Sequence, residues 1–256
     1  DVVVTPTTVA IVAGSVRHDQ YTRFNRITET EDAPMERTVW SASPAIRGQL
    51  LDERVQLDGT VFVQGIHNDA FGDSALSQVP GAITQSTTGF IAAKPRAGVL
   101  VRLSPTTVTK ASWGQYLRPP DFTELFGNRG SVIGNPSLLP ESSTSADLGF
   151  RTTLNSPKVN LICDLAGFRS DTRNKIVFIQ NSQRTVRPIN VKGARIQGVE
   201  AALTLGVFDA FQSRTSLSRS WTENLSEAAA YAGNQLPGIP NIELSQRTTL
   251  NWANSI

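Results

Sequence analysis

The chain holds two histidines, His18 and His67, and one cysteine, Cys163. A metal centre needs three or four such ligands, and neither histidine has a cysteine or carboxylate at ligand spacing. A single cysteine excludes an intrachain disulfide. Serine is abundant, but no Gly-x-Ser-x-Gly elbow or ordered triad is present. No P-loop or strand–helix GxGxxG appears either. These absences argue against an enzyme, with no catalytic residue, resident metal or cofactor expected. What remains is cations beside aromatic rings. Tyr21, Arg23, Phe24 and Arg26 form one group, Phe71 stands in a second polar stretch, and Phe126, Asn128 and Arg129 in a third. Arginine supplies a planar donor fork and the rings a stacking face, a pairing that suits anionic or aromatic chelates. Arg118 and Glu124 are spaced to pair with each other.

The elements that would carry these residues are strands. In Arg54–Ile66, Val55, Leu57, Gly59, Val61 and Val63 alternate with Arg54, Gln56, Asp58, Thr60, Phe62 and Gln64. Lys158–Ala166, Gly198–Leu205 and Ala210–Trp221 alternate in the same way. Period-2 patterning means strands with one apolar and one polar face. Charged residues are only 18% of the chain, so its polar faces are made mainly of Ser, Thr, Asn, Gln and Gly. The net charge of +2 and the lack of a basic–aromatic cluster give no reason to expect nucleic acid.

Connections follow a second rule. Tight turns are expected at Pro6-Thr7, Asp52-Glu53, Ser104-Pro105-Thr106, Asn155-Ser156-Pro157 and Val207-Phe208-Asp209. Between them lie long polar stretches at about 20–36, 69–95, 117–141, 171–186 and 223–240. An up-and-down barrel in an outer membrane has one rim of short turns and one of long loops. A soluble sandwich follows no such rule. No apolar run reaches the roughly 18 residues of a membrane helix, but barrel strands need only about 9–11 of alternating polarity. Trp113, Trp221 and Trp252 are candidate interfacial anchors. Cys163 shares the apolar face of Val159 and Leu161 and is expected to face lipid.

Several stretches then resemble TonB-dependent outer-membrane receptors. Arg118, Pro119, Pro120, Phe122, Glu124, Leu125 and Phe126 match that family's RxPxxxELF. Gly134, Asn135, Pro136, Leu138, Pro140 and Glu141 match its GNPxLxPE. Asn190, Ala194, Ile196, Gly198, Val199 and Glu200, with Gly193 between them, match NxxxAxIxGVE, and Leu236–Pro240 is similar to LPGxP. The physics marks these motifs as structural first. Pro119-Pro120 cannot donate ladder bonds, so the strand must leave the sheet there. Gly134 is able to take positive φ before the Asn135-Pro136 turn. Gly193 and Gly198 are expected to frame a strand start, with an inward Gly198 leaving room for a close-packed plug and Glu200 facing the lumen.

The fold expected is all-β, an antiparallel up-and-down transmembrane β-barrel, partial, with about ten strands of a larger barrel. Residues 1–256 are read as one partial receptor barrel, with the plug domain, signal peptide and C-terminal strands lying outside it. The resemblance implies active uptake of a scarce nutrient chelate of ferric siderophore or cobalamin type. It also implies a TonB-type energy-transducing complex as partner, contacted through the plug, and outer-membrane lipid around the wall. A passive porin-like channel, a soluble β-rich binding module and an outer-membrane enzyme barrel are the alternatives.

Overall fold

The structure is a computed structural model that describes residues 2–5, 7–22, 24–25, 29–31, 34–71, 85–127, 131–180, 185–208, 210–225, 232–236 and 238–251. At 2–5, 24–25, 30–31, 70–71 and 85–86 it describes the backbone alone. The strands are β1 (Val2–Thr5), β2 (Thr8–Tyr21), β3 (Phe24–Asn25), β4 (Thr30–Glu31), β5 (Met35–Leu50), β6 (Val55–Phe71) and β7 (Gln85–Arg102). They continue as β8 (Thr107–Arg118), β9 (Glu141–Asn155), β10 (Val159–Gln180), β11 (Val186–Val207), β12 (Phe211–Asn224) and β13 (Ile242–Leu250), with one helix, α1 (Phe122–Phe126).

Eleven strands form a single sheet in which each pairs with the next in chain order, while β3 and β4 make a separate two-stranded hairpin. Every pairing is antiparallel. This is an up-and-down meander, as the alternation of turns and loops predicts. The short rim has the expected connections, and Phe208 and the run Leu51–Glu53 adopt positive φ in two of them.

The long rim differs from expectation at two places. Residues 85–95, expected within a long connection, are strand and open β7. Residues 171–186, expected as a loop, are mostly strand: β10 and β11 run for 22 residues each. They stay paired from Val159↔Val207 up to Gln180↔Val186. A tilted strand crosses a bilayer in about 9–11 residues, so this hairpin projects well beyond it. The polar residues that suggested a loop, such as Asp171, Arg173 and Lys175, are the part of the ladder that stands in water. The same extension puts Gly193 and Gly198 inside β11 and not at its start.

The two faces of the sheet are chemically opposite. One carries a belt of exposed apolar side chains, among them Leu148 and Phe150 on β9, Leu165 on β10, Val199 and Leu203 on β11, Leu217 on β12 and Leu244 on β13. Register makes the belt continuous: Phe150, Leu165, Ala201, Leu217 and Leu244 are consecutive cross-strand partners. Trp113 and Trp221 lie on this face at 42% and 46% exposure, and Cys163 is exposed in the belt. Trp252 lies outside the described residues. Large exposed apolar side chains over so wide an area need an apolar solvent. The opposite face forms a concave trough lined by Lys110, Asp164, Glu200, Arg214, Ser218 and Glu243.

The seam between β7 and β8 is incomplete. β7 and β8 pair only from Arg102↔Val108 to Arg96↔Gly114, although β7 continues up to Gln85. The Arg102 N–H donates to Arg54 O at 2.7 Å and the Leu103 N–H to Thr107 O at 2.9 Å. Even β7 positions therefore bond β6 and odd ones bond β8. Pro95 occupies the next odd position and has no N–H to give. The ladder stops there and the two strands part.

Candidate functional site

Between β8 and β9, residues 119–127 and 131–140 fold inward as a brace across the long rim. Pro119 and Pro120 end β8, and Asp121 then caps α1. The Glu124 N–H donates to Asp121 Oδ1 at 2.7 Å and the Asp121 N–H to Glu124 Oε2 at 2.8 Å, a reciprocal capping box. Leu125 and Phe126 are 2% and 4% exposed, in a cluster with Met35, Leu138 and Ile176. Tyr21 stacks on Phe122 with ring centroids 5.8 Å apart, and the Arg37 guanidinium lies 4.8 Å above the same ring. Arg37 is buried; it donates to Asn68 Oδ1 and to Pro120 O, both at 2.6 Å. One end of the brace is thereby fixed to β2, β5 and β6.

The other end is fixed to β10 and β11. Asn135 Nδ2 donates to Pro188 O at 2.9 Å, while Asn135 Oδ1 accepts from Ser137 Oγ at 2.6 Å. Asn190 grips Leu139 twice: its Oδ1 accepts from the Leu139 N–H at 2.7 Å and its Nδ2 donates to Leu139 O at 2.9 Å. Asn190 Nδ2 also donates to Asn174 O at 2.8 Å. Gly134 is required for close approach: a Cβ there would lie 2.3 Å from the Phe126 carbonyl carbon. It does not take the positive φ expected of it; Gly127, the helix cap, does at 71°.

Arg118 binds the brace to the wall. Its guanidinium is bidentate to Glu124, with both bonds at 3.1 Å, and reaches Glu141 Oε1 at 2.9 Å. Glu141 also accepts the Ile176 N–H at 2.8 Å. Glu141 opens β9, seven positions before the lipid-facing Leu148, and so stands above the belt. Burial pushes its carboxyl up, but the Arg118 and Ile176 hydrogen bonds and nearby cations outweigh that and hold it below its usual range. Arg118 is raised, above all by its hydrogen bond to Glu141.

The concave face shows a recurring device. Glycines on it lie beneath side chains that run flat along the wall. A Cβ at Gly98 would meet Asp58 Oδ1 at 2.7 Å, one at Gly114 would meet Arg96 Cγ at 3.0 Å, and one at Gly149 would meet Lys110 Cε at 3.3 Å. At Gly198 it would meet Phe168 Cζ at 2.8 Å, so the space expected for a plug is occupied by this chain's own ring. Glu200 lies on the lumenal face as expected, a cross-strand partner of Ala166 and Ser218.

Of the ligand-binding candidates, Tyr21 is half-buried in the brace contact and Phe126 is in its core, not on an open loop. Phe126 seals the end of α1, so its ring offers no face to a ligand. Phe24 and Phe71 lie on strands at the long rim with only their backbone described, and Arg23, Arg26, Asn128 and Arg129 lie outside the described residues. His18 is bonded to Thr38 at 3.1 Å and His67 pairs with Asp69 at 3.0 Å. Among the described residues no three metal-ligating side chains gather.

A lipid-facing meander with an inward brace built from the quoted motifs is what comparison with known proteins returns. The TonB dependent receptor-like, beta-barrel family model matches residues 11–255. The chain belongs to that family. TonB-dependent receptors reside in the bacterial outer membrane, and this chain is a portion of such a receptor's wall. It is 29% identical over 154 residues to the iron-regulated outer membrane virulence protein of Vibrio cholerae, covering 53% of this chain and 23% of that protein. The copper transporter OprC superposes with a TM-score of 0.72 at 20% identity, over 95% of this chain and 38% of that one. The FrpB iron transporter from Neisseria meningitidis superposes at 0.65 and 12% identity, over 90% and 35%. The chain thus spans well under half the length of each of these proteins. The family is one of receptors and transporters.

Sequence reasoning missed Arg37, Asn68 and α1. The helix had a readable signal, since Asp121 and Glu124 have capping-box spacing. Arg37 and Asn68 had none, because their pairing is a cross-strand register fact, Arg37↔Asn68.

Proposed function

We propose that this chain forms wall and outer rim of a receptor that imports a scarce nutrient chelate, most fittingly an iron chelate, with energy from a TonB-type complex. The observation that carries the reading is the match of the receptor barrel family along nearly the whole chain, on a sheet with lipid outside and charge inside. The names of the relatives favour iron, with the ferric-catecholate import receptor Fiu of E. coli a further similar structure at a TM-score of 0.62. Cargo would be captured on the long rim, where Tyr21, Arg23, Phe24, Arg26, Phe71, Asn128 and Arg129 supply cations and rings. The brace holds that rim in shape, and the charged trough faces whatever fills or crosses the lumen.

The test uses the complete receptor, expressed in an outer membrane from which other iron receptors have been removed. Accumulation of radiolabelled iron supplied as catecholate, hydroxamate or haem is measured with and without an active TonB system. Uptake of one class that needs TonB supports the reading. Uptake that persists without TonB, together with ion conductance in planar bilayers, would identify a passive channel. Uptake of copper and of no iron complex would move the cargo class.

A further inference from the structure

The seam between β7 and β8 leaves one cation without a partner. Arg96 sits on β7 at the last rung before the strands part, opposite Gly114. It shares the concave face with Leu100 and Lys110, since side chains two and four positions apart on a strand point the same way. Its guanidinium lies 4.5 Å from the centre of the Tyr116 ring and 5.4 Å from that of Phe62. Gly114 gives it room to lie flat, because any Cβ there would press on Arg96 Cγ and the Tyr116 hydroxyl. Its Nε is buried and has no hydrogen-bond partner, and no described residue pairs with the guanidinium.

The neighbouring arginines are treated differently. Arg37 has Asn68 and the Pro120 carbonyl, Arg118 has Glu124 and Glu141, and Arg151 has Asp164. An exposed arginine is solvated by water, but Arg96 is only half-exposed. A partly buried guanidinium flanked by rings favours an oxyanion in the plane of its free nitrogens. Nε itself is sealed from solvent, so an oxyanion would reach the guanidinium through its terminal nitrogens. Lys94, two positions along on the same face, bonds Ser142 Oγ at 2.9 Å and keeps a second positive charge at the seam.

We propose that Arg96, shelved between Phe62 and Tyr116 where β7 and β8 part, is a docking point for a carboxylate inside the lumen. The carboxylate has two sources, a cargo passing the wall or a receptor segment that fills the bore. The cargo source rests on the uptake reading above; the internal source does not.

The experiment uses the complete receptor in detergent, as wild type, Arg96→Gln and Arg96→Lys. Citrate, free and as its ferric complex, is the probe in isothermal titration, with thermal unfolding followed in parallel. A cargo source predicts citrate binding at least tenfold weaker in Arg96→Gln, intermediate in Arg96→Lys, and an unchanged Tm. An internal source predicts a lower Tm for Arg96→Gln without ligand. That difference must vanish as the pH falls through the carboxylate range, about 4, because a protonated partner no longer distinguishes arginine from glutamine. A Tm difference independent of pH would mean that Arg96 only packs against its rings, and would overturn the proposal. Unchanged citrate binding together with unchanged Tm would overturn it as well. Failure of iron uptake by wild type would refute the uptake reading and leave the thermal measurement standing.

Discussion

The wall and the brace are held by different kinds of bond. From β9 to β12 the wall is a continuous backbone ladder, and the apolar side chains of its belt stand exposed on the outer face. In the brace the backbone makes few ladder bonds, and single side chains provide the attachments: Asn135, Asn190, Arg118, Glu124 and Arg37. A ladder is indifferent to side-chain identity so long as alternation is kept. A brace pinned by individual amides and one ion cluster is not. This difference explains why the brace is written in recognisable motifs and the wall in a pattern.

The comparison can be broken at its strongest point first. Asn190→Ala removes three hydrogen bonds, two to Leu139 of the brace and one to Asn174 O on β10, and should destabilise the rim by roughly 2–4 kcal/mol at about 1 kcal/mol per bond. Amide exchange at Leu139 and limited proteolysis within 119–140 should both accelerate, with the β10–β11 ladder still protected. Unchanged protection at Leu139 would mean that the amide is not the pin. Arg118→Ala should follow at about 1–3 kcal/mol, because it leaves Glu124, 5% exposed, without its cation. Half-exposure of Arg118 itself keeps the figure below that of a fully buried pair. Double substitution with Glu124→Gln should recover part of the loss, and a double variant no better than the single one would deny the coupling.

Within the wall the glycine positions sharpen the contrast. Gly198→Val should cost about 1–3 kcal/mol of thermal stability by overpacking against Phe168. Phe168→Ala in the same chain should relieve the side-chain part of that strain. No relief would assign the clash to Arg219 O, which a Cβ would meet at 2.6 Å. Acid should act on the brace before the wall. The Glu141 carboxyl is depressed in the folded chain, so its contribution is complete above its unfolded pKa of about 4.3 and is lost as pH falls through the lower folded value. Exchange at the Ile176 amide, which Glu141 accepts, should rise below about pH 4, and Glu141→Gln should abolish that pH dependence. At the small end, Leu217→Ile on the lipid face should stay within about 0.5 kcal/mol, as read by urea unfolding in bilayers. A large effect there would mean that the face packs on protein.

Alternation and turn chemistry made the meander, its rims and its two faces readable from sequence. They fail where a strand leaves lipid, because Ser170–Lys175 of β10 is polar on both faces and has no alternation to read; Asp171 and Arg195 pair across the ladder there at 2.7 Å. The brace was legible as motifs but not as a shape. Nothing local announces that Asn135 reaches Pro188 or that Arg37 reaches Pro120, contacts between positions 53 and 83 residues apart. Phe126 was misread for the same reason: an aromatic between loop residues looks available until α1 forms and turns it inward. The seam had one sign in the sequence, Pro95 inside a strand, whose effect depends on which neighbour the missing N–H would have faced.

The flat-lying side chains of the concave face bear on how anything moves past it. With Asp58, Lys110 and Phe168 laid over glycines, the concave face has low relief there. A body sliding along such a surface meets few projections to catch on, and each covering side chain keeps its charge or ring at a fixed depth. Filling a glycine would lift its cover into the passage like a raised tile. The glycines on this face therefore govern clearance and friction, properties of the empty space that no contact inventory records.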